Sequence, residues 1–145
     1  MDYRSIFRVS ASGMDIEKLR LDTAALNLAN IDTSAAPGGV AFKPLRVVSQ
    51  AVMPSFGQWM QIQAGSSAGG VGNASVVETD ATPRIVHDPA DPHADARGDV
   101  RYPGVDHAGE MLSIMSALRA YEANVAALGA ARTMATHALE IGDRT

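Results

Sequence analysis

A chain of 145 residues with a formal net charge of -4 and a pI near 5.4 fits one domain, with at most a small lobe set off from it. Its 12 basic residues are scattered singly rather than clustered, which argues against nucleic acid as a partner. Apolar residues make up 46% of the chain and aromatic ones only 5%, so alanine, glycine and methionine carry much of the apolar content. That composition suits closely packed helices.

No apolar run nears the roughly 18 residues needed to span a bilayer, so no membrane insertion is expected. The N-terminus does not read as a secretory signal: Arg4 and Arg8 bracket a short apolar stretch, and charges return at Asp15, Glu17 and Lys18. Taken alone, that pattern reads as cytosolic. The absence of cysteine removes disulfides and thiolate metal sites.

Residues 4–32 read as one helix. Val9, Ser12, Ile16, Leu19, Thr23, Leu26 and Asn30 step by three and four, the spacing of a coiled-coil seam. Met14, Leu21, Ala25, Leu28 and Ile31 form a second stripe, so the helix is expected to have more than one neighbour. Ser34 to Gly39, which contains Pro37 and two glycines, ends it.

The middle, residues 40–105, has β-favouring stretches at 40–52, 75–79 and 84–87. Residues 64–73 are rich in glycine and serine and read as a loop. Pro83, Pro89, Pro92 and Pro103 keep the chain around them extended or turned. The expectation is a small antiparallel β lobe with an extended strap leading out of it.

Residues 106–141 carry the strongest periodicity. Met111, Ile114, Leu118, Tyr121, Val125, Leu128, Arg132, Ala135 and Leu139 step by three and four without a break. Such a helix is about 50 Å long, against a radius of gyration of roughly 15 Å for a compact domain of this length. It is expected to pair with the first helix and to protrude towards other subunits. The fold class expected is mainly α with a small β insertion, long N- and C-terminal helices packing coiled-coil-like around a short β lobe. Residues 1–36 and 106–145 would form the helical domain and residues 37–105 the lobe and strap.

Three segments add a resemblance. Leu21 to Thr33 reads Leu-Asp-Thr-Ala-Ala-Leu-Asn-Leu-Ala-Asn-Ile-Asp-Thr, and its Asn27, Leu28, Ala29 and Asn30 resemble the signature that ends the first helix of the flagellar basal-body rod protein family. Arg119-Ala-Tyr-Glu-Ala-Asn-Val125 resembles the Tyr-x-Ala-Asn segment of that family's last helix. Asp88-Pro-Ala-Asp-Pro-His-Ala-Asp-Ala-Arg-Gly-Asp-Val100, followed by Tyr102-Pro-Gly-Val105, is similar to the strap of the proximal rod members. The order Pro92-His93-Ala94-Asp95 departs from their usual His-Pro-Asp-Ala-Asp, and residues 53–75 match weakly.

The resemblance implies a structural subunit rather than an enzyme, with no cofactor or small-molecule substrate. It implies export through the flagellar type III apparatus without a cleaved signal peptide, then assembly in the periplasmic rod that transmits torque. Partners would be copies of itself, other rod proteins and basal-body ring proteins. The expected assembly contacts are Val9, Ile16, Leu19, Leu26, Asn27, Asn30, Met111, Ile114, Leu118, Tyr121, Asn124, Val125, Leu128, Arg132 and Leu139. Periodicity alone also allows a cytoplasmic coiled-coil adaptor without enzymatic activity.

Other chemistry reads more plainly. His87, Asp88, Asp91, His93 and Asp95 are suitable metal ligands by type, but prolines space them along a strap, and a solvated, turn-forming role is expected instead. Asn27 and Asn30 lack a nucleophile nearby and are expected to cap the helix end or to occupy its left-handed turn. Ser10, Ser12, Asp106 and His107 sit in no nucleophile motif. Arg132, the one charge on its seam, reads either as an arginine snorkelling to the edge or as half of an ion pair across subunits, with Asp22 or Glu17 as partner. Trp59 and Met60 read as core of the β lobe, with an anchor for a neighbouring protein as the alternative.

Overall fold

The computed structural model describes residues 3–49 and 74–142. Trp59 and Met60, the loop expected at 64–73 and residues 50–52 of the first expected strand lie outside the described residues. The order of elements is a helix α1 (Tyr3–Ala29), strands β1 (Leu45–Ser49), β2 (Ala74–Glu78), β3 (Arg84–His87) and β4 (Asp99–Tyr102), and a helix α2 (His107–Gly142). The chain is mainly α with a small β component.

The helix α1 stops three residues before the sequence suggests. Ile31 continues the apolar period, but the backbone has already left the helix: the N–H of Ile31 donates to the Leu28 carbonyl and that of Thr33 to the Asn30 carbonyl, as in successive turns. A turn comes next at Ala36 to Gly39, where the Gly39 N–H donates to the Ala36 carbonyl at 2.8 Å and Gly38 has φ +78°. Proline at its second position and a left-handed glycine at its third are what a type II turn requires.

β1 and β2 pair as a two-stranded ribbon. β3 and β4 form an antiparallel hairpin in which Arg84 lies opposite Tyr102 and Val86 opposite Val100. β4 is a strand that the sequence does not announce, because Asp99 and Arg101 break up its apolar character. Val100, between them, is fully buried, and Tyr102 on the same face carries the Arg84 guanidinium 5.1 Å above its ring.

The strap between β3 and β4 is turned, not extended. Each of its aspartates closes a local ring: Asp88 Oδ1 accepts from the N–H of Ala90 (3.1 Å), Asp91 Oδ1 from that of His93 (2.7 Å), and Asp95 Oδ1 from those of Arg97 (2.7 Å) and Asp99 (3.0 Å). Aspartate favours such turns because its short carboxylate reaches the main chain two residues on. Asp106 repeats the device as the N-cap of α2, accepting from the Ala108 N–H at 3.1 Å, a role whose loss costs about 1 kcal/mol in other helices.

The chain divides into two compact units. One holds α1 up to Lys18 and α2 from Ala117; the other runs through 19–48 and 76–116. In the first, the buried side chains are Ser10, Ile16, Ala117 and Ala131. In the second, Thr23, Ala24, Asn27, Val100 and Pro103 are buried. Among the described residues, both interiors are built mostly from small or polar groups.

Gly13 illustrates the close approach this allows. A methyl group there would lie 2.9 Å from Asn124 Oδ1, and the Asn124 amide is already committed to the Ala120 carbonyl at 2.9 Å. At Gly129, a methyl group would meet nothing within 4 Å. Gly129→Ala should therefore raise stability in urea denaturation by up to about 1 kcal/mol, the propensity difference in a helix. Gly13→Ala should lose that gain to displacement of Asn124; equal stabilisation by both would show that the contact is not limiting.

Candidate functional site

The most constrained group in the described chain is the side chain of Asn27, which is 0% exposed. It lies in the last turn of α1 and faces the start of β1. The Leu45 N–H donates to its Oδ1 at 2.8 Å, and its Nδ2 donates to the Leu45 carbonyl at 2.8 Å. The amide thus pairs with β1 as a neighbouring strand would. The same Nδ2 donates to Glu110 Oε1, in the first turn of α2, at 2.9 Å.

Sequence reasoning expected Asn27 to cap α1. It does not: its side chain leaves the helix entirely, because burial at this junction demands partners that the helix end cannot supply. Asn30 takes the local role, its Nδ2 donating to the Leu26 carbonyl at 2.8 Å. Neither asparagine turns left-handed, since no described non-glycine residue has positive φ.

A second cluster joins the segment after α1 to the hairpin. Ser34 Oγ lies 2.8 Å from His93 Nδ1 and donates to Asp91 Oδ1 at 3.4 Å, and the Tyr102 hydroxyl donates to Asp91 Oδ2 at 3.4 Å. The His93 backbone N–H is the main cause holding the Asp91 carboxyl below the usual carboxylate range, with the two hydroxyls adding to it and burial opposing. Burial, then the Asp91 charge, pushes the Tyr102 phenol above its ordinary value. Asp95 is likewise held low by the N–H groups of Asp99 and Arg97.

The serine, histidine and aspartate in this cluster are not arranged as a hydrolytic triad. Asp91 Oδ1 stands 3.9 Å from Nδ1, the same nitrogen that meets Ser34, whereas a triad carboxylate orients the imidazole from its other nitrogen. At the other end of the strap, His87 Nδ1 meets Asp99 Oδ1 at 3.0 Å across the hairpin. Among the described residues, no three His or carboxylate side chains converge as a metal site. Ser12 donates to the Val9 carbonyl, Ser10 is buried in α1 and Asp106 caps α2.

The helices present a different kind of surface. On α2 the positions turned inward are Ile114, Ala117, Ala120, Asn124, Leu128, Ala131 and Ala135, again in steps of three and four. Of the seam expected from sequence, Ile114, Leu128 and Ala135 share this face. Met111, Leu118, Tyr121, Val125 and Leu139 are 38–74% exposed, and Arg132 is exposed. Alanine and asparagine occupy much of the inward face beside Ile114 and Leu128, and the other bulky side chains of the seam lie outside it. On α1, Ile16 and Asn27 are buried, Leu19 and Asn30 are half-buried, and Val9 and Leu26 are 44% and 52% exposed.

Comparison with known proteins bears on these surfaces. A sequence profile described as "Flagellar basal body rod FlgEFG protein C-terminal" matches residues 97–141. The flagellar basal-body rod protein FlgC of Bacillus subtilis is 38% identical over 141 residues, 92% of this chain and 94% of its own. FlgC of Escherichia coli O6:H1 is 37% identical over 138 residues, 95% of this chain and 96% of its own. This chain belongs to the FlgC family of flagellar basal-body rod proteins. FlgC of Borreliella burgdorferi is 30% identical over 145 residues, 94% of this chain and 95% of its own. FlgC membership does not favour the adaptor reading.

Within this FlgC-family chain, the sequence singles out Asn27 and Asn124 but not Leu45 and Glu110, which meet the first, or Gly13, which lies against the second. Asn27→Ala should cost roughly 2–4 kcal/mol in chemical denaturation, since it removes the amide and strands the polar groups it satisfies. Asn27→Asp should be worse at pH 7 than at pH 4. The introduced carboxylate would face Glu110 and the Leu45 carbonyl, so folding would raise its pKa; the penalty exists above the ordinary carboxylate range and fades as protonation removes the charge. A pH-independent cost would show that the two carboxyls are not in contact.

Proposed function

We propose that this chain is a non-catalytic structural subunit of the proximal flagellar rod, in the periplasm, that joins copies of itself and other rod proteins through the outward faces of α1 and α2. The observation that carries this reading is the inverted helix α2. Alanine and asparagine take much of its inward face, and a set of large apolar side chains faces out: Met111, Met115, Leu118, Tyr121 and Val125 cluster on one side, each 38–53% exposed. A monomer has no use for such a stripe, whereas a contiguous exposed apolar patch marks an interaction surface.

Helix-to-helix contact between subunits in coiled-coil fashion would cover these side chains. Each leucine or methionine fully removed from water contributes about 1.5–3 kcal/mol. Residues 1–36 and 106–145 would then form the axial domain, with residues 37–105 as the lobe beside it. Family membership supports a role in the rod, and the helix surfaces support the route of assembly. A shaft of such subunits would carry torque through its packed helices, with no chemistry needed.

The test is to supply Leu118→Asp or Val125→Asp in cells that lack their own copy. Both positions are about half exposed, so helix content by circular dichroism should match the parent. Incorporation into basal bodies and swimming should be lost. Normal swimming by both variants would remove the outward face of α2 from the assembly route.

A further inference from the structure

Three parts of the chain meet on the carboxylate of Asp91. The backbone N–H of His93 reaches it from within the strap at 2.7 Å, the Ser34 hydroxyl from the segment after α1 at 3.4 Å, and the Tyr102 hydroxyl from β4 at 3.4 Å. The carboxylate side chain is only 14% exposed. Beside it, the Ala35 N–H donates to the Arg101 carbonyl at 3.0 Å, an isolated bridge with no strand on the Ala35 side to reinforce it.

The Ser34 hydroxyl also lies 2.8 Å from His93 Nδ1, and the remaining tie on the same segment is weak. Asp32 lies 3.6 Å from Arg84, but the two side chains are 82% and 57% exposed, and exposed pairs of this kind contribute little. The remaining charged or titratable neighbours of the cluster are His93 and Asp88 in the strap, with Arg84 on β3 and Tyr102 on β4. None of them receives donors from three directions. Asp91 does, and an ionised carboxylate accepts on both oxygens with charge assistance; protonation turns one oxygen into a donor with reduced acceptor capacity, and the bonds that remain lose their charge assistance.

We propose that Asp91 is an acid-operated fastening between the segment after α1 and the β3–β4 hairpin: ionised, it gathers Ser34 and Tyr102 onto the strap; protonated, it releases residues 34–35. The sign is set by which form the fold prefers. Folding holds this carboxyl below its ordinary value, chiefly through the His93 N–H. The fastening is therefore complete above the usual aspartate range near ~3.9 and is lost as the pH falls through the lower folded value. A cationic His93, 3.9 Å away, would attract the carboxylate and defer the release to more acid conditions.

Nuclear magnetic resonance on the full chain tests this. The Asp91 carboxyl carbon and the exchange protection of the Ala35 amide would be followed from neutral pH down through the carboxylate range. Protection at Ala35 should fall about tenfold in step with the Asp91 titration, while the β3–β4 amides stay protected. In Asp91→Asn it should be low already at neutral pH, with no further step; in Asp95→Asn the step should persist. Constant protection at Ala35 while Asp91 titrates, or a step that survives in Asp91→Asn, would overturn the proposal.

Discussion

One buried amide holds together the part of the chain in which α1 ends, β1 begins and α2 starts. Asn27 is suited to this because its side chain carries the same donor and acceptor as a peptide group. It can complete the hydrogen bonding of a strand edge without contributing a strand. Leucine would fill the space but leave Leu45 unpaired, and aspartate would supply acceptors where Leu45 and Glu110 need a donor. A polar group with no exposed surface must be fully served, and Asn27 is served by Leu45 and Glu110 together. The direction in which the chain leaves α1 is set by that demand.

Around this junction the remaining devices are local and repeat one theme. Aspartates at 88, 91, 95 and 106 each turn a carboxylate onto main-chain N–H groups two or more residues ahead. The prolines of the strap remove donors that would otherwise need partners. The strap's reordered Pro92-His93-Ala94-Asp95 is compatible with the same turns, because the geometry asks for a short carboxylate and a free N–H at fixed offsets. It does not ask for a fixed order of names.

Much of the architecture could be read directly. The unbroken three-and-four stepping from Met111 to Leu139 located α2, and the run Arg84-Ile-Val-His87 located β3, because both signals lie within one element. What was not legible depends on distant partners. Asn27 was singled out, but its partners lie 18 and 83 residues away, and no periodic pattern reaches so far. The inward face of α2 was not legible for a related reason: hydropathy points to the bulkiest residues, and here Ala117, Asn124 and Ala131 share that face with Ile114 and Leu128, with Gly13 approaching Asn124. β4 was hidden by its charges, and the true end of α1 by Ile31.

The two kinds of contact also differ in the length of chain they enclose. Ring closures in the strap span two to four residues, whereas the bond from Asn27 to Glu110 closes a loop of 83. Short loops close in tens of nanoseconds, and long ones must first give up far more chain freedom. The hairpin and its strap can therefore be in place before the ends of the two helices find one another. The contact on which the course of α1 depends thus encloses far more chain than any turn of the strap, and it is expected to form after them.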